Sequence, residues 1–216
     1  MAASGTLPWL ESLARFGLRP GLERMEAMLA ELGDPQRAFA AIHVVGTNGK
    51  STTTRMIEAL LLDAGLSVGS TVSPHVRSWS GRIQVNGRQV DFEQAVARVR
   101  PAAERAGATQ FEAITAAAFT AVADAGVTVA VVEAGLGGRW DATNVVGAGV
   151  VVLTNIALIT PTCSVLPARR SPPRSSPSCG LAQWSWSASP SGPCRRGTPA
   201  RWRSSSATAR RRSTSR

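Results

Sequence analysis

The sequence predicts an α/β fold of the P-loop type, in which a mostly parallel sheet carries helices on both faces. Two runs rich in β-branched residues, 127–135 and 148–156, are typical of parallel strands covered on both sides. Strand-like and helix-like segments alternate along residues 1–158, which favours right-handed crossovers within one sheet. The turn GTNGKS, residues 46–51, joins one such strand to one such helix.

The first half of this region predicts two helices separated by a strand. Apolar residues recur at helical spacing over 21–32, namely Leu22, Met25, Met28, Leu29 and Leu32. The short apolar run FAAIHVV at 39–45 is followed by Gly46 and predicts a buried strand. A helix over 51–64 stops at Gly65 and is expected to bury one apolar face, formed by Met56, Ile57, Leu60 and Leu61.

The second half of the region continues the alternation. The run LSVGSTV at 66–72 predicts another strand. Residues 82–90 predict a hairpin, because Asn86-Gly87 suits a type I′ turn. Before the two β-branched runs, the pattern predicts two more helices, over 91–107 and 111–126.

The turn at 46–51 has the composition of a phosphate-binding loop. Backbone N–H groups at the start of a helix form an anion site together with the helix dipole. Gly46 and Gly49 let the backbone approach phosphate oxygens, and Lys50 is placed to reach the β- and γ-phosphates. The hydroxyl of Ser51 or Thr52 is available to phosphate or magnesium.

This loop is a variant of the strict eight-residue P-loop, which has glycine where this chain has Val44. The alternative interpretation is a surface turn that only caps a helix. Lys50 is the single lysine among 24 Lys and Arg residues, and its position in such a loop favours phosphate binding.

Charge divides the chain into two parts. The net charge is +10, yet all 14 acidic residues lie within residues 1–158, beside 13 Lys and Arg. Residues 159–216 hold 11 Arg and no acidic residue, and they are rich in Ser and Pro. We therefore expect a domain over 1–158 and a largely disordered C-terminal tail over 159–216.

Several classes of protein are disfavoured. Cys163, Cys179 and Cys194 form no CxxC pair and have no histidine nearby, so zinc and disulfide sites lack support. The N-terminus lacks the pattern of a signal peptide, and no run of apolar residues is long enough to predict a membrane span. We expect a cytoplasmic protein with no membrane partner.

Five separated strings resemble the folylpolyglutamate synthase and dihydrofolate synthase enzymes, within the Mur-ligase-like group of ATP-dependent ligases. They follow the family's order and spacing between about Phe16 and Leu158: RFGLRPGLERM, HVVGTNGKST, TVSPHVRSWSGRIQVNG, TQFEAITAAAF and EAGLGGRWDATN. The resemblance implies that residues 1–158 are the N-terminal part of a Mur-ligase-like ATPase domain and that the C-terminal glutamate ligase domain is absent.

The resemblance also implies which residues form the site. ATP phosphates would be held, with Lys50 as the catalytic residue, by Gly46, Thr47, Asn48, Gly49, Lys50, Ser51 and Thr52. Ser73 and Glu133 would hold Mg²⁺, and only the resemblance supports Ser73. Glu133 also ends an apolar strand, where ligands of α/β proteins bind and where a cation would offset the cost of burying a carboxylate. A helix-capping or salt-bridged glutamate is the alternative.

The pterin end of the substrate is expected near three segments of the chain. Its contacts would come from Gly17, Leu18, Arg19, Pro20, Thr109, Gln110, Phe111 and Trp140. Phe111 and Trp140 suit stacking on a flat heterocycle, although either is equally compatible with a place in the core.

The implied reaction adds L-glutamate to a folate or dihydropteroate carboxylate. The γ-phosphoryl group of ATP moves to that carboxylate, and the amine of glutamate then attacks the acyl phosphate. Lys50 and Mg²⁺ would contribute positioning and charge neutralisation. The resemblance thus implies ATP and Mg²⁺ as cofactors, small-molecule partners and a monomer.

The resemblance stops after Leu158. The family continues with Asp-His-Thr and then Glu-Lys-Ala, which serve a second metal, whereas this chain continues ITPTCSVLPARRSPPRSS. One extra G before the codon of Ile159 makes the next codons compatible with Asp-His-Thr-Asp-Val-Leu-Gly, and those of Arg170 to Ser175 with Ile-Ala-Ala-Glu-Lys. We therefore predict a single-base deletion at codon 159 and an out-of-frame tail.

Three interpretations of function follow. The first is the ATP-dependent glutamate ligase, with this chain expected to be inactive. The second is a non-catalytic nucleotide-binding remnant. The third, disfavoured by the out-of-frame composition, is a nucleic-acid-binding protein whose tail would use its arginines together with Trp184, Trp186 and Trp202.

Overall fold

The structure is a computed structural model that describes residues 5–13, 21–75, 78–136 and 140–157. The strands are β1 (Ala40–Val45), β2 (Val68–Thr71), β3 (Ile83–Val85), β4 (Arg88–Gln89), β5 (Val129–Glu133) and β6 (Val150–Leu153). The α-helices are α1 (Thr6–Ser12), α2 (Glu23–Glu31), α3 (Lys50–Asp63), α4 (Phe92–Ala106) and α5 (Gln110–Asp124). Three short 3₁₀ helices lie at Pro35–Arg37, Trp79–Arg82 and Ala142–Val146.

All six strands belong to one sheet, in the order β4-β3-β2-β5-β1-β6. The four strands from β2 to β6 in this order run parallel, and only β3 and β4 pair antiparallel to their neighbours. The predicted mostly parallel sheet is confirmed. Because β1, β2, β5 and β6 share a direction, their carboxyl ends meet at one edge.

Helices cover both faces of the sheet, as the sequence predicts. On one face, Ile57, Leu61 and Leu62 of α3 pack on a small buried cluster, formed by Val44, Val68, Val129 and Val131. On the other face, α1, α2, α4 and α5 enclose the larger core around Leu10, Met28, Val96 and Phe119. Apolar side chains that the strands present alternately therefore pack against helices on each face of the sheet.

The packed face of α3 includes Ile57 and Leu61, as predicted, but not the other two residues predicted for it. Met56 and Leu60 were expected to face the sheet, but their side chains are 61% and 68% exposed. The helix is turned instead so that Glu58 is buried and bonded to Arg55 at 2.7 Å. Arg55 also donates to Ser70 Oγ on β2 at 2.7 Å and to the carbonyl of Gly81 at 2.8 Å. Arg55 thereby links α3 to β2 and to the segment before β3.

Strand β6 also differs from its prediction. Its β-branched run indicates a strand covered on both faces, yet Val150 and Leu153 are 54% and 52% exposed. Within the described residues β6 pairs only with β1 and forms the outer strand of the sheet. The composition of the run therefore predicts burial on both faces. Among the described residues, the neighbours of β6 leave it about half exposed.

Two smaller features complete the fold. The hairpin between β3 and β4 has Asn86 and Gly87 at φ 49° and 73°, both left-handed, which confirms the predicted type I′ turn. Helix α1 was not predicted, because its seven residues are too few to show a periodicity. No helix in the described ranges is long and apolar enough to cross a membrane.

Gly69→Ala tests the packing of α5 on the sheet. A Cβ added at Gly69 of β2 would lie 2.6 Å from Cγ1 and Cγ2 of Val122 on α5. We expect the free energy of unfolding to fall by about 1–3 kcal/mol, because this contact has no room for a methyl group. Urea unfolding followed by circular dichroism measures the change. Gly149→Ala is the control, since an added Cβ there meets nothing within 4 Å; equal losses in both variants would contradict the close contact.

Candidate functional site

The candidate site lies at the sheet edge where the parallel strands end. The phosphate loop (residues 46–49) follows β1, Ser73 lies just beyond β2, and Glu133 is the last residue of β5. Val44 of β1 is in register with Glu133, so the loop begins beside this carboxylate. Ligands of open α/β sheets bind at such an edge.

The phosphate loop adopts the expected strand–turn–helix geometry. The N-cap of α3 is Gly49, with φ 78°, a left-handed conformation that favours glycine. Helix α3 begins at Lys50, whose Nζ donates to the carbonyl of Thr47 at 3.2 Å. The lysine is therefore held over its own loop, close to the positive end of the helix dipole.

The structure shows a close contact at Gly46 that the sequence does not predict. A Cβ added there would lie 2.2 Å from Thr154 Oγ1 and 2.9 Å from the carbonyl oxygen of Asn155. The space at the Cβ position of Gly46 is thus occupied by the segment that follows β6. Gly49, in contrast, has no described atom within 4 Å of an added Cβ.

Glu133 is buried between two serines. Ser51 Oγ donates to Oε1 at 2.9 Å, and the Ser73 backbone N–H donates to Oε2 at 3.0 Å. Burial raises the pKa of Glu133, while these two hydrogen bonds and the positive charges of Lys50 and Arg55 act in the opposite direction. Within the described ranges no salt bridge involves Glu133, so its charge is balanced mainly by hydrogen bonds and by cations at longer range.

The oxygen atoms around Glu133 suit a hard divalent cation. A carboxylate and the hydroxyl of Ser51 lie at the phosphate loop, and Mg²⁺ is usually bound by one or two carboxylates together with substrate phosphates. Among the described residues, no three His, Cys, Asp or Glu side chains gather into a metal-binding group. A cation at Glu133 would therefore complete its coordination with hydroxyl, water or phosphate oxygens.

The sequence does not predict a buried series of hydrogen bonds that begins at His43 in β1, the strand before the phosphate loop. His43 Nε2 lies 2.8 Å from Thr143 Oγ1, which also contacts Asp141 Oδ1. The carboxylate of Asp141 accepts from the Leu136 backbone N–H at 2.7 Å and from the Thr143 N–H at 3.0 Å. An ionised Asp141 can only accept, so the hydroxyl of Thr143 donates to it and His43 donates from Nε2.

The hydrogen bonds from His43 through Thr143 to Asp141 join β1 to the segment after β5. Burial lowers the pKa of His43, and the negative charge of Asp141 opposes that shift. The signal in the sequence is a histidine inside the apolar run FAAIHVV, together with the aspartate of WDATN. Neither indicates the other, because they are about a hundred residues apart and meet only through the pairing of the strands.

The residues predicted to contact the pterin group divide into three sets. Gly17, Leu18, Arg19 and Pro20 lie outside the described residues. Thr109 is the N-cap of α5 and forms a capping box with Glu112, while Gln110 Nε2 donates to the Leu10 carbonyl at 3.0 Å. Both residues thus stabilise the N-terminus of α5.

Phe111 and Trp140 occupy different environments. Phe111 packs against the larger core and against Gly135, where an added Cβ would lie 2.5 Å from Phe111 Cζ. Trp140 is 58% exposed. Phe111 therefore supports the segment just beyond Glu133, whereas Trp140 presents an accessible ring.

Beyond β2, a second cluster surrounds Arg82. Its Nε donates to His75 Nδ1 at 3.1 Å, and its guanidinium lies 4.8 Å from the centre of the Trp79 ring. Burial lowers the pKa of Arg82, and the charge of Glu133 opposes this shift. Lys50, Arg55 and Arg82 each interact electrostatically with Glu133, so positive charge near this carboxylate suits the site to anionic ligands.

Comparison with known proteins agrees with this geometry. The family model of the Mur ligase middle domain matches residues 44–158. The dihydrofolate synthase/folylpolyglutamate synthase of Mycobacterium tuberculosis is 43% identical over 155 residues, which cover 64% of this chain and 32% of that protein. The predicted resemblance is confirmed.

Two solved structures share the fold. E. coli FolC in complex with DHPP and ADP has a TM-score of 0.67 and 38% identity, over 74% of this chain and 40% of that one. The bifunctional folylpolyglutamate synthase/dihydrofolate synthase from Yersinia pestis, complexed with AMPPNP and Mn ion, has a TM-score of 0.66 and 35% identity, over 73% and 40%. The chain spans about a third of the length of the curated relatives it matches.

His43→Gln tests the buried hydrogen bonds that join His43, Thr143 and Asp141. A histidine whose folded-state pKa lies below its unfolded value of about 6.5 takes up a proton on unfolding, so it destabilises the fold as the pH drops below that value. Glutamine retains an amide donor and does not titrate. We expect the loss of urea-unfolding stability between about pH 7.5 and about pH 5.5 to be smaller in the variant. His75 remains in both proteins, and identical losses would contradict this role of His43.

Proposed function

Because this chain belongs to the Mur ligase family through its middle domain, we propose that residues 1–158 form the nucleotide-binding part of an ATP-dependent ligase. The proposed reaction adds L-glutamate to a carboxylate of a folate or of dihydropteroate. The observation that carries the proposal is the place of Glu133, which lies between Ser51 of the phosphate loop helix and Ser73.

The phosphates of ATP would bind at the N-terminus of α3. The backbone N–H groups of the first turn have no partner within the helix and point along its axis. Lys50 would move from the Thr47 carbonyl to a phosphate oxygen, because a charged acceptor forms the stronger hydrogen bond. ADP and AMPPNP in the solved relatives support this assignment.

Glu133, with Ser51 and Ser73 beside it, would hold a divalent cation. The Mn ion in a solved relative supports a divalent metal, and we propose Mg²⁺ because it combines a carboxylate with substrate phosphates. When bound, the cation supplies charge neutralisation at the phosphate oxygens. Ser51 and Ser73 hold the carboxylate in one orientation, and Lys50 balances the negative charge that grows on the leaving ADP as the γ-phosphoryl group is transferred.

The carboxylate substrate would approach from the side of Trp140 and Phe111. Trp140 offers an exposed flat ring for a pterin, and Phe111 supports the segment after β5 that leads to it. Thr109 and Gln110 would act through the position of α5. Gly17, Leu18, Arg19 and Pro20 complete the proposed contacts.

The proposal extends to the organisation of the chain. We propose that residues 1–158 are the folded ligase part and that residues 159–216 are an out-of-frame tail, because back-translation of the residues after Leu158 is compatible with the family's strings in another frame. The tail lies outside the described residues. We also propose a cytoplasmic monomer with small-molecule partners and no nucleic-acid partner, since the charges at the sheet edge serve a compact anionic ligand.

A second candidate function is nucleotide binding without turnover. The phosphate loop, Lys50 and Glu133 lie within the described residues with their contacts in place, and they require no group from the segment after Leu158. A chain that binds ADP but transfers no glutamate would fit this candidate.

Lys50→Met tests the phosphate site. Hydrogen bonds to charged groups contribute about 1.5–3 kcal/mol, so we expect the affinity for ADP to fall by about 10- to 100-fold. Isothermal titration calorimetry in the presence of Mg²⁺ measures the affinity. Arg88→Met is the control, because Arg88 is an exposed cation on β4 at the far edge of the sheet. Equal affinities for the Lys50 variant and the unaltered chain would contradict the site.

Turnover tests the reaction and the reading frame together. ADP release is measured with ATP, Mg²⁺ and dihydropteroate or tetrahydrofolate, in the presence and absence of L-glutamate. We expect no glutamate-dependent release from the chain as it stands. We expect clear release when one G is inserted before the codon of Ile159 in the gene and the restored frame is translated to its own stop codon. Turnover by the unaltered chain would show that the tail does not prevent catalysis, and none by the repaired chain would contradict the proposed reaction.

A further inference from the structure

The segment after β6, residues 154–157, forms several hydrogen bonds with the phosphate loop. We infer that Asn155 is a positioning residue, which decides which backbone N–H groups of the loop face a nucleotide phosphate. The inference rests on the proposed function, since it concerns the same phosphate site. Asn155 itself is not among the residues predicted from the sequence.

Asn155 binds two consecutive N–H groups of the loop. Its main-chain oxygen accepts from Thr47 N at 3.0 Å, and its side-chain Oδ1 accepts from Asn48 N at 2.8 Å. Thr154 Oγ1 donates to the Asn48 carbonyl at 2.7 Å, and Ala157 N donates to Thr47 Oγ1 at 3.1 Å. The segment 154–157 therefore satisfies donors and acceptors on both sides of the loop.

Two N–H groups expected to cradle phosphate thus point elsewhere. A donor that is aligned with Asn155 is not aligned with an anion on the axis of α3. The N–H groups left for a phosphate are those of the first turn of the helix, which have no intrahelical partner. The role predicted for Thr47 and Asn48 becomes indirect: they hold the shape of the loop rather than the anion.

This contact also accounts for the departure from the strict P-loop. Val44, which stands in place of the first glycine, remains in β1, because the strand continues to Val45. Only residues 46–49 are then left between strand and helix. The segment after β6 supports this short turn through its hydrogen bonds with Thr47 and Asn48. The close approach of Thr154 and Asn155 to Gly46 is part of the same contact.

Hydrogen exchange of the loop amides tests the contact without a ligand. In Asn155→Ala, the Asn48 N–H loses its acceptor, so its exchange rate should rise by about 3- to 10-fold. The Thr47 N–H bonds to the main chain of residue 155 and should keep its rate, which serves as an internal control. Asn155→Asp retains an acceptor and should restore the slow exchange of Asn48. Unchanged exchange at Asn48 in the alanine variant would overturn the inference.

Binding of ADP and of adenosine tests the function of the contact. We expect Asn155→Ala to weaken ADP binding by about 3- to 10-fold and to leave adenosine binding unchanged, because adenosine has no phosphate to place. Ile156→Ala is the matched control, since Ile156 is the neighbouring residue and its side chain is 61% exposed. ADP affinity that stays equal or rises in Asn155→Ala would overturn the inference. No ADP binding by the unaltered chain would instead refute the proposed function, while the exchange rates still decide whether Asn155 holds the loop.

Discussion

The parallel pairing of β5 with β1 and β2 determines where every group of the site lies. β5 is buried along its whole length, and its register places Glu133 beside Val44, two residues before the phosphate loop. Since β2 and β6 run in the same direction, Ser73 and Asn155 arrive at the same edge. The hydrophobic runs that stabilise the sheet thus also bring together polar residues that are far apart in the chain.

The electrostatics of this edge follow from placing a carboxylate at the end of a buried strand. Burial raises the pKa of Glu133, and the fold offsets that cost with two serine hydrogen bonds and with nearby cations. Arg55 makes two electrostatic interactions. It is one of those cations, and it also pairs with the buried Glu58. One arginine therefore takes part both in the contacts of α3 and in the charge balance of the site.

Polar contacts with neighbouring segments hold the loops of the site in place, in addition to the conformational preferences of the loop residues. The chain from His43 through Thr143 to Asp141 ties the segment after β5 to β1, and Asn155 ties the phosphate loop to the end of β6. Both sets of contacts use a residue at or next to a strand. This arrangement supports short loops through contacts with strand residues, as the proposed phosphate site would require.

The sequence by itself determined the α/β class, the alternation of elements, the type I′ turn at Asn86-Gly87 and the phosphate loop, because each depends on residues close together in the chain. Periodicity could not decide which face of α3 is buried, since the contacts of Arg55 come from β2 and from Gly81. It also could not show that the space beside Gly46 belongs to Thr154 and Asn155, or that His43 is joined to Asp141. Those contacts link residues about a hundred positions apart, and only the order and register of the strands bring them within hydrogen-bond distance.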